Sequence, residues 1–456
     1  MANETTELAD YAAALRYEDL PSDVVQRAKD TIADTVATIV YGYHLPWSQI
    51  IVAYARRTSP GGRSRILGPG GPLVHAPAAA FANGALTHAF ELDNLTRPGS
   101  GVHPGAILLS SGLAVAQERS LGGRALIEAF VAGAEVMIRI GRATKHTNEA
   151  RGFHAPGTTG PFGGAVAVGR LLGFDAACMT NALGIAGSLS CGLLEFAHSG
   201  TGAMVKRLHL GRAAESGVLA ASLAADGFTG PHSVIEGEFG FLRVFCPDFD
   251  IDELMRGLGE SYVTHTILMK RFACHITAHT PVQAILDLRA EHGFSGADVA
   301  AIAIAGNEKM AKVNNIAQPK DVMMSQYSVP FCVALAHFRD PRDPGSFDET
   351  ALRDPAIRAL TEQVTVTIAE GTHNHATLAA NVTVTLKDGR VLTRRVEDFK
   401  GTPQRPLSYD ELREKFLMLT RHCRRAEMER LFERLAHLES EKDLDWLGLD
   451  LAAQAA

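Results

Sequence analysis

Six side chains carry the chemistry on offer. Asp93 stands in His88-Ala89-Phe90-Glu91-Leu92-Asp93-Asn94-Leu95, at the end of a helix expected to be otherwise buried. His103 follows in Gly101-Val102-His103-Pro104-Gly105. His154 lies in Gly152-Phe153-His154-Ala155-Pro156, and Lys206 in Met204-Val205-Lys206-Arg207-Leu208-His209. Lys270 and His275 share Lys270-Arg271-Phe272-Ala273-Cys274-His275. Taken singly, each reads more readily as a satisfied buried histidine or a surface lysine. Brought together, they would set several cationic or proton-transferring groups around one carboxylate. That combination suits a small polycarboxylate and proton abstraction next to one of its carboxylates.

Other motifs point nowhere specific. Gly157-Thr158-Thr159-Gly160-Pro161-Phe162-Gly163-Gly164 opens a helix but lacks the Lys-Ser/Thr ending of a phosphate loop. A helix start of this kind can still take an anion on its backbone N–H groups, and packing alone explains its small residues equally well. There is no Gly-x-Ser-x-Gly elbow. His275 and His279 have metal-ligand spacing, yet the His-Glu-x-x-His form is absent and Cys274 is expected to point elsewhere. His373-Asn374-His375 reads as a turn or lid-loop feature. No metal site is expected.

These residues need elements to hold them. The first half reads as helix after helix: one from Ser22 or Asp23, then 75–90, 104–117, 123–144, 160–172, 175–188 and 206–226. No β-α-β alternation appears, which excludes a doubly wound nucleotide fold. The texture changes near Thr266. Ile302-Ala303-Ile304-Ala305 reads as a strand after a helix over 281–292. Gln363 to Ile368 and Val382 to Leu386 alternate strictly, and Asp388-Gly389 turns the latter into Val391-Leu392-Thr393. Helices return at Ser408, with a capping-box start through Glu411. The expected fold is mainly α: a large all-helical domain from both chain ends, 1–265 plus 401–456, with a smaller α+β lid domain, 266–400, inserted.

Composition sets the outer limits. The 456 residues carry 44 Lys+Arg against 51 Asp+Glu, a net charge of −7, which argues against a general nucleic-acid binder. The start of the chain, Met1-Ala2-Asn3-Glu4-Thr5-Thr6-Glu7, lacks a signal-peptide pattern, and no apolar stretch approaches the roughly 20 residues of a spanning helix. A cytoplasmic protein without a membrane segment is expected. The six cysteines show no Cys-x-x-Cys pair and read as buried reduced thiols.

Together these segments resemble the MmgE/PrpD family, whose members include a 2-methylcitrate dehydratase, a cis-aconitate decarboxylase and an iminodisuccinate epimerase. The likeness covers nearly the whole chain. It is carried by 88–104, 152–164, 202–231, 270–279, and Tyr327 in Gln326-Tyr327-Ser328-Val329-Pro330. It implies a helical domain, an α+β lid, a site between them, a homodimer, and no metal or organic cofactor. It places the site on Asp93, His103, His154, Lys206, Lys270, His275 and Tyr327. Two positions depart from the family pattern: Glu91-Leu92-Asp93-Asn94-Leu95 replaces Asp-Phe-Asp-Asp-Thr, and Pro156 replaces a threonine.

The resemblance implies a cofactor-independent lyase of the dehydratase or hydratase type, acting on a di- or tricarboxylate. Lys206, Lys270 and His154 would bind substrate carboxylates. Asp93 and His103 would move the proton. His275 and Tyr327 would complete the pocket on closure. An epimerase or a decarboxylase shares the first step, and a non-catalytic carboxylate-binding homologue is the alternative of another class.

Overall fold

A computed structural model describes residues 3–97, 101–197, 204–370 and 377–448. His373-Asn374-His375 and residues 98–100, in the loop between Asp93 and His103, lie outside the described residues. The fold is mainly α with small sheets. Two compact units divide it. The first comprises Met1–Ala89, Asp93–Leu268 and Ser408–Ala456, the second Phe90–Leu92 and Met269–Leu407.

In the first unit, small residues set the helix packing. A Cβ on Gly217 would lie 2.5 Å from the Gly164 backbone. The helices Ala155–Leu171 and Val205–Ala225 therefore meet backbone to backbone, which larger side chains would prevent. Pro161 sits inside the first of these helices and cannot donate to the carbonyl of Gly157. That carbonyl instead accepts the Cys191 N–H at 3.2 Å, so the buried acceptor stays paired.

Both chain ends build this unit. Lys415, on the helix Tyr409–Leu419, pairs with Asp34 on the helix Ser22–Tyr43. Lys29 on that same helix pairs with Glu439 at 2.9 Å. The capping box at Ser408 and Glu411 forms in both directions. The run of helices is interrupted twice. Pro60–Arg65 pairs with Leu73–Val74, and Leu95–Thr96 with Ile267–Leu268, both antiparallel. Ladders this short leave no alternation for a sequence reading to detect.

The second unit holds a four-stranded sheet ordered Val364–Ile368, Val299–Gly306, Ala380–Leu386, Val391–Val396. Ile302, Ile304, Val382 and Val384 form its buried face, as period-two alternation requires. Asp388-Gly389 makes the hairpin turn, with Gly389 at φ +92°, a region that suits glycine. Val299–Gly306 and Val364–Ile368 run parallel, so one crossover does occur, within this unit and through short helices.

Among the described residues no helix is long and apolar enough to cross a membrane. All six cysteines are free. Cys246, Cys274, Cys332 and Cys423 are buried, whereas Cys178 is half-buried and Cys191 exposed, so the expectation of uniformly buried thiols is corrected at those two.

Candidate active site

The chain reverses direction between Asp93 and His103. Thr96 N–H donates to Val102 O at 3.0 Å and closes that loop. Pro104 holds His103 to extended backbone. The next turn, Gly105–Leu109, is a π-type turn in which Gly105 N–H donates to Asn94 Oδ1 at 2.9 Å. Gly105 has no room for a side chain there, since a Cβ would lie 2.0 Å from Thr35 Oγ1.

This fold-back sets two imidazoles on one buried carboxylate oxygen. Asp93 Oδ2 lies 2.6 Å from His103 Nδ1 and 2.9 Å from His88 Nδ1. Burial by itself would raise the Asp93 carboxyl. The charges and hydrogen bonds of His88 and His103 outweigh it and hold Asp93 well below the usual carboxylate range. Asp93 is thus an anion at neutral pH. A neutral ring that donates Nδ1–H to it keeps a lone pair on Nε2, the form of a general base. The His88 side chain is 1 % exposed and that of His103 10 %, so His103 is the ring a substrate can reach.

Asn94 is a structural donor. Its Nδ2 donates to Asp34 Oδ2 at 3.1 Å and to Thr35 Oγ1 at 3.0 Å. Asp34 is fully buried, and its other oxygen takes Lys415. An amide supplies the donor that Asp34 needs. A carboxylate would lose that donor and set two buried anions side by side. Asn94→Asp should therefore lower unfolding free energy by about 3 kcal/mol or more. Urea melts at pH 7 check this, and unchanged stability would refute the role given to the amide.

His154 and Lys206 converge nearby in the same unit. His154 precedes the helix Ala155–Leu171, and Pro156 in its first turn is well placed because no N–H is needed there. His154 Nδ1 lies 3.0 Å from His209 Nδ1. The His154 ring centroid is 6.3 Å from that of His88, and those of His88 and His103 are 4.9 Å apart. Lys206 is buried in the first turn of Val205–Ala225, where the helix dipole already disfavours a cation. A buried ammonium at that position makes a strong anion site. Burial, then Lys206 and the neighbouring imidazoles, hold the His154 ring well below its ordinary range. Burial and Lys206 lower His209 to about 4. Both rings are neutral at pH 7, and one donates to the other.

These two histidines set an acid limit on stability. Unfolded histidine titrates near 6.5, so between there and pH 4 the unfolded chain binds more protons than the folded one. Stability should be full above about pH 6.5 and fall as the pH drops. His209 alone contributes a loss of up to about 3 kcal/mol by pH 4, at 1.36 kcal/mol per unit. Urea midpoints from pH 7 to 4 test this. His209→Gln should flatten the slope, and an identical slope would sink the assignment.

The remaining three expected residues gather in the second unit. Lys270 Nζ lies 3.0 Å from Glu91 Oε2, both side chains almost fully buried, and Tyr327 Oη lies 3.4 Å from Glu91 Oε1. The rings of His275 and Tyr327 are 5.0 Å apart. His275 Nδ1 contacts Thr277 Oγ1 at 2.8 Å. Glu91 has φ +56°, an uncommon left-handed backbone for a side chain of its size. The Lys270 ammonium is thus already engaged by a carboxylate. Cys274 does not point away, as the sequence suggested: its Sγ lies 3.7 Å from His279 Nδ1.

Sequence reasoning missed His88, His209 and Glu91. His209 lies three residues after Lys206, one helical turn on, and that spacing was the available signal. His88 stood in the same segment as Asp93 without a distinguishing pattern. Among the described residues, His88, Asp93 and His103 have ligand atoms all within 4.8 Å of one another, the makeup of a two-histidine, one-carboxylate metal set. Their Nδ1 and Oδ2 atoms are engaged with each other at hydrogen-bond distances.

Comparison with known proteins places the chain in a family. The MmgE/PrpD N-terminal domain model matches residues 6–254 and the C-terminal domain model residues 272–438. A cis-aconitate decarboxylase of Aspergillus terreus is 35% identical over 301 residues, which is 63% of this chain and 60% of that protein. The chain thus aligns with 60% of the length of that relative. A cis-aconitate decarboxylase-like protein of Aspergillus oryzae is 28% identical over 98% of this chain and 96% of its own. The cis-aconitate decarboxylase of Homo sapiens is 29% identical over 88% and 84%. With both domain models matched in order along most of its length, the chain belongs to the MmgE/PrpD family.

Proposed function

We propose that this protein is a lyase acting on a small polycarboxylate, with His103 moving a proton at carbon and no cofactor required. The observation that carries this reading is the buried Asp93–His103 pair in the same unit as Lys206 and two neutral imidazoles. Asp93 orients His103 and balances the positive charge that its ring takes up with a proton. Lys206, with His154 and His209, holds substrate carboxylates and stabilises the charge that develops on them.

The names of the relatives favour decarboxylation of cis-aconitate as the outcome. In that reaction the bond to one carboxylate breaks and carbon dioxide leaves. The electron pair passes into the conjugated alkene and a remaining carboxylate. A proton that His103 has first taken up from solvent at Nε2 then passes to carbon and quenches it. A dehydratase would use the same base in reverse order, removing the proton first and expelling hydroxide.

The test is a panel of cis-aconitate, citrate, 2-methylcitrate and iminodisuccinate in deuterated water, followed by NMR. Decarboxylation predicts carbon dioxide loss from cis-aconitate with one deuteron in the product. Formation of an alkene from a hydroxy acid would instead assign a hydro-lyase. No turnover and no exchange with any compound would leave a carboxylate-binding homologue. Chelation should leave activity intact, because the Asp93 and imidazole atoms a metal would use hold each other. Loss on chelation, restored by one divalent ion, would overturn the cofactor-independent mechanism.

A further inference from the structure

His275 opens the short helical turn Ile276–Ala278 in the second unit, and its own ring caps that turn. Its backbone is extended, φ −60° and ψ 145°, the ordinary geometry of a cap. Nδ1 accepts the Thr277 N–H at 3.4 Å and lies 2.8 Å from Thr277 Oγ1. A backbone N–H can only donate, so Nδ1 offers a lone pair, and the Thr277 hydroxyl donates to the same lone pair. A hydrogen on Nδ1 would instead face the hydrogen of Thr277 N–H. The His275 ring is therefore neutral, with its one proton on Nε2.

The surroundings hold the residue in that pose. His275 N–H donates to Gln326 O at 2.8 Å. The Gln326 side chain is anchored in turn, donating to Ala273 O at 2.7 Å and to Phe90 O at 3.0 Å. The next residue, Tyr327, lays its ring against that of His275, with 33° between the two planes. Thr277 is fully buried, whereas His275 and Tyr327 are half-buried. A sealed threonine thus sets the proton position on a ring that is not itself sealed. His103 is held the other way round: its Nδ1–H goes to Asp93, which leaves the lone pair on Nε2. The two histidines offer opposite atoms, one a base and the other a donor.

We propose that Thr277 is a positioning residue that keeps His275 a neutral hydrogen-bond donor, and that His275 Nε2–H donates to the substrate carboxylate on which charge develops. This rests on the lyase reading above. The proton stays on Nε2 throughout, so His275 stabilises charge while His103 moves the proton. A neutral imidazole N–H oriented before the reaction begins is an effective donor to a developing anion.

The first test needs no substrate. The full chain, labelled with nitrogen-15 histidine, is read by long-range proton–nitrogen NMR at pH 7, with His275→Gln to assign the ring. His275 should show a protonated Nε2 and a bare Nδ1. Thr277→Val should give a mixture of the two tautomers, and Thr277→Ser should restore the single form. A proton on Nδ1 in the wild type overturns the proposal. The second test is turnover of whichever panel compound the wild type accepts. His275→Gln keeps an amide N–H near the place of Nε2–H and should stay within about tenfold of wild type. His275→Phe keeps the ring contact with Tyr327, removes the donor, and should lose about 10²–10³ in kcat. Thr277→Val should lower kcat about two- to tenfold with KM little changed, and Thr277→Ser should recover it. Equal losses in His275→Gln and His275→Phe would make His275 a proton carrier and overturn the donor role, and no loss in either would remove it from the reaction. A wild type that accepts no panel compound overturns the lyase reading and the donor role with it, while the tautomer set by Thr277 stands or falls on the NMR.

Discussion

His103→Ala should lower turnover by about 10²–10⁴, the usual contribution of a positioned acid or base. Asp93→Asn keeps the shape, removes the charge, and should fall within the same range. The double variant should be little worse than the worse single one, because Asp93 acts through the ring it holds at 2.6 Å. A capping role for Asp93 predicts something else. Asp93→Asn would then melt early, and the folded fraction would turn over like wild type. The geometry speaks against capping, since the Asp93 carboxylate is shared between two imidazoles. Turnover and melting temperature on the three variants decide the question, and additive losses in turnover would end the coupled-pair reading.

Lys206→Ala should reduce turnover or substrate affinity ten- to a hundredfold, as expected for a charge-assisted hydrogen bond of about 1.5–3 kcal/mol. Lys145→Ala is the control. Lys145 has a side chain 48 % exposed and pairs with Asp248 at the surface, a contact worth little. Lys206 is buried beside two neutral imidazoles at a helix start, where its charge is poorly screened. Removing it also relieves both rings, so His209 should titrate closer to its ordinary value. NMR titration of the ring reads that shift. Equal kinetics for Lys206→Ala and Lys145→Ala would remove Lys206 from the substrate site.

Some of this was legible from residues alone. The helical first half, the alternating strands near 364–386, the Asp388-Gly389 turn and the Ser408 box are local patterns, governed by spacing and by turn and cap chemistry. So was the suspicion that Asp93 and His103 meet, because a short loop between two buried segments can fold back. Local rules could not pair His154 with His209, across 55 residues, or set Asn94 against Asp34 and Asp34 against Lys415, 381 residues on. Those contacts arise where Gly- and Ala-faced helices pack closely enough to bury polar groups, which must then find partners or pay desolvation. The same constraint made Asn94 a structural donor and turned Glu91 into the partner of Lys270. Residue types and spacing determined which chemistry this chain has at its disposal. Only tertiary burial decided which of those groups are charged, which are neutral, and which face one another.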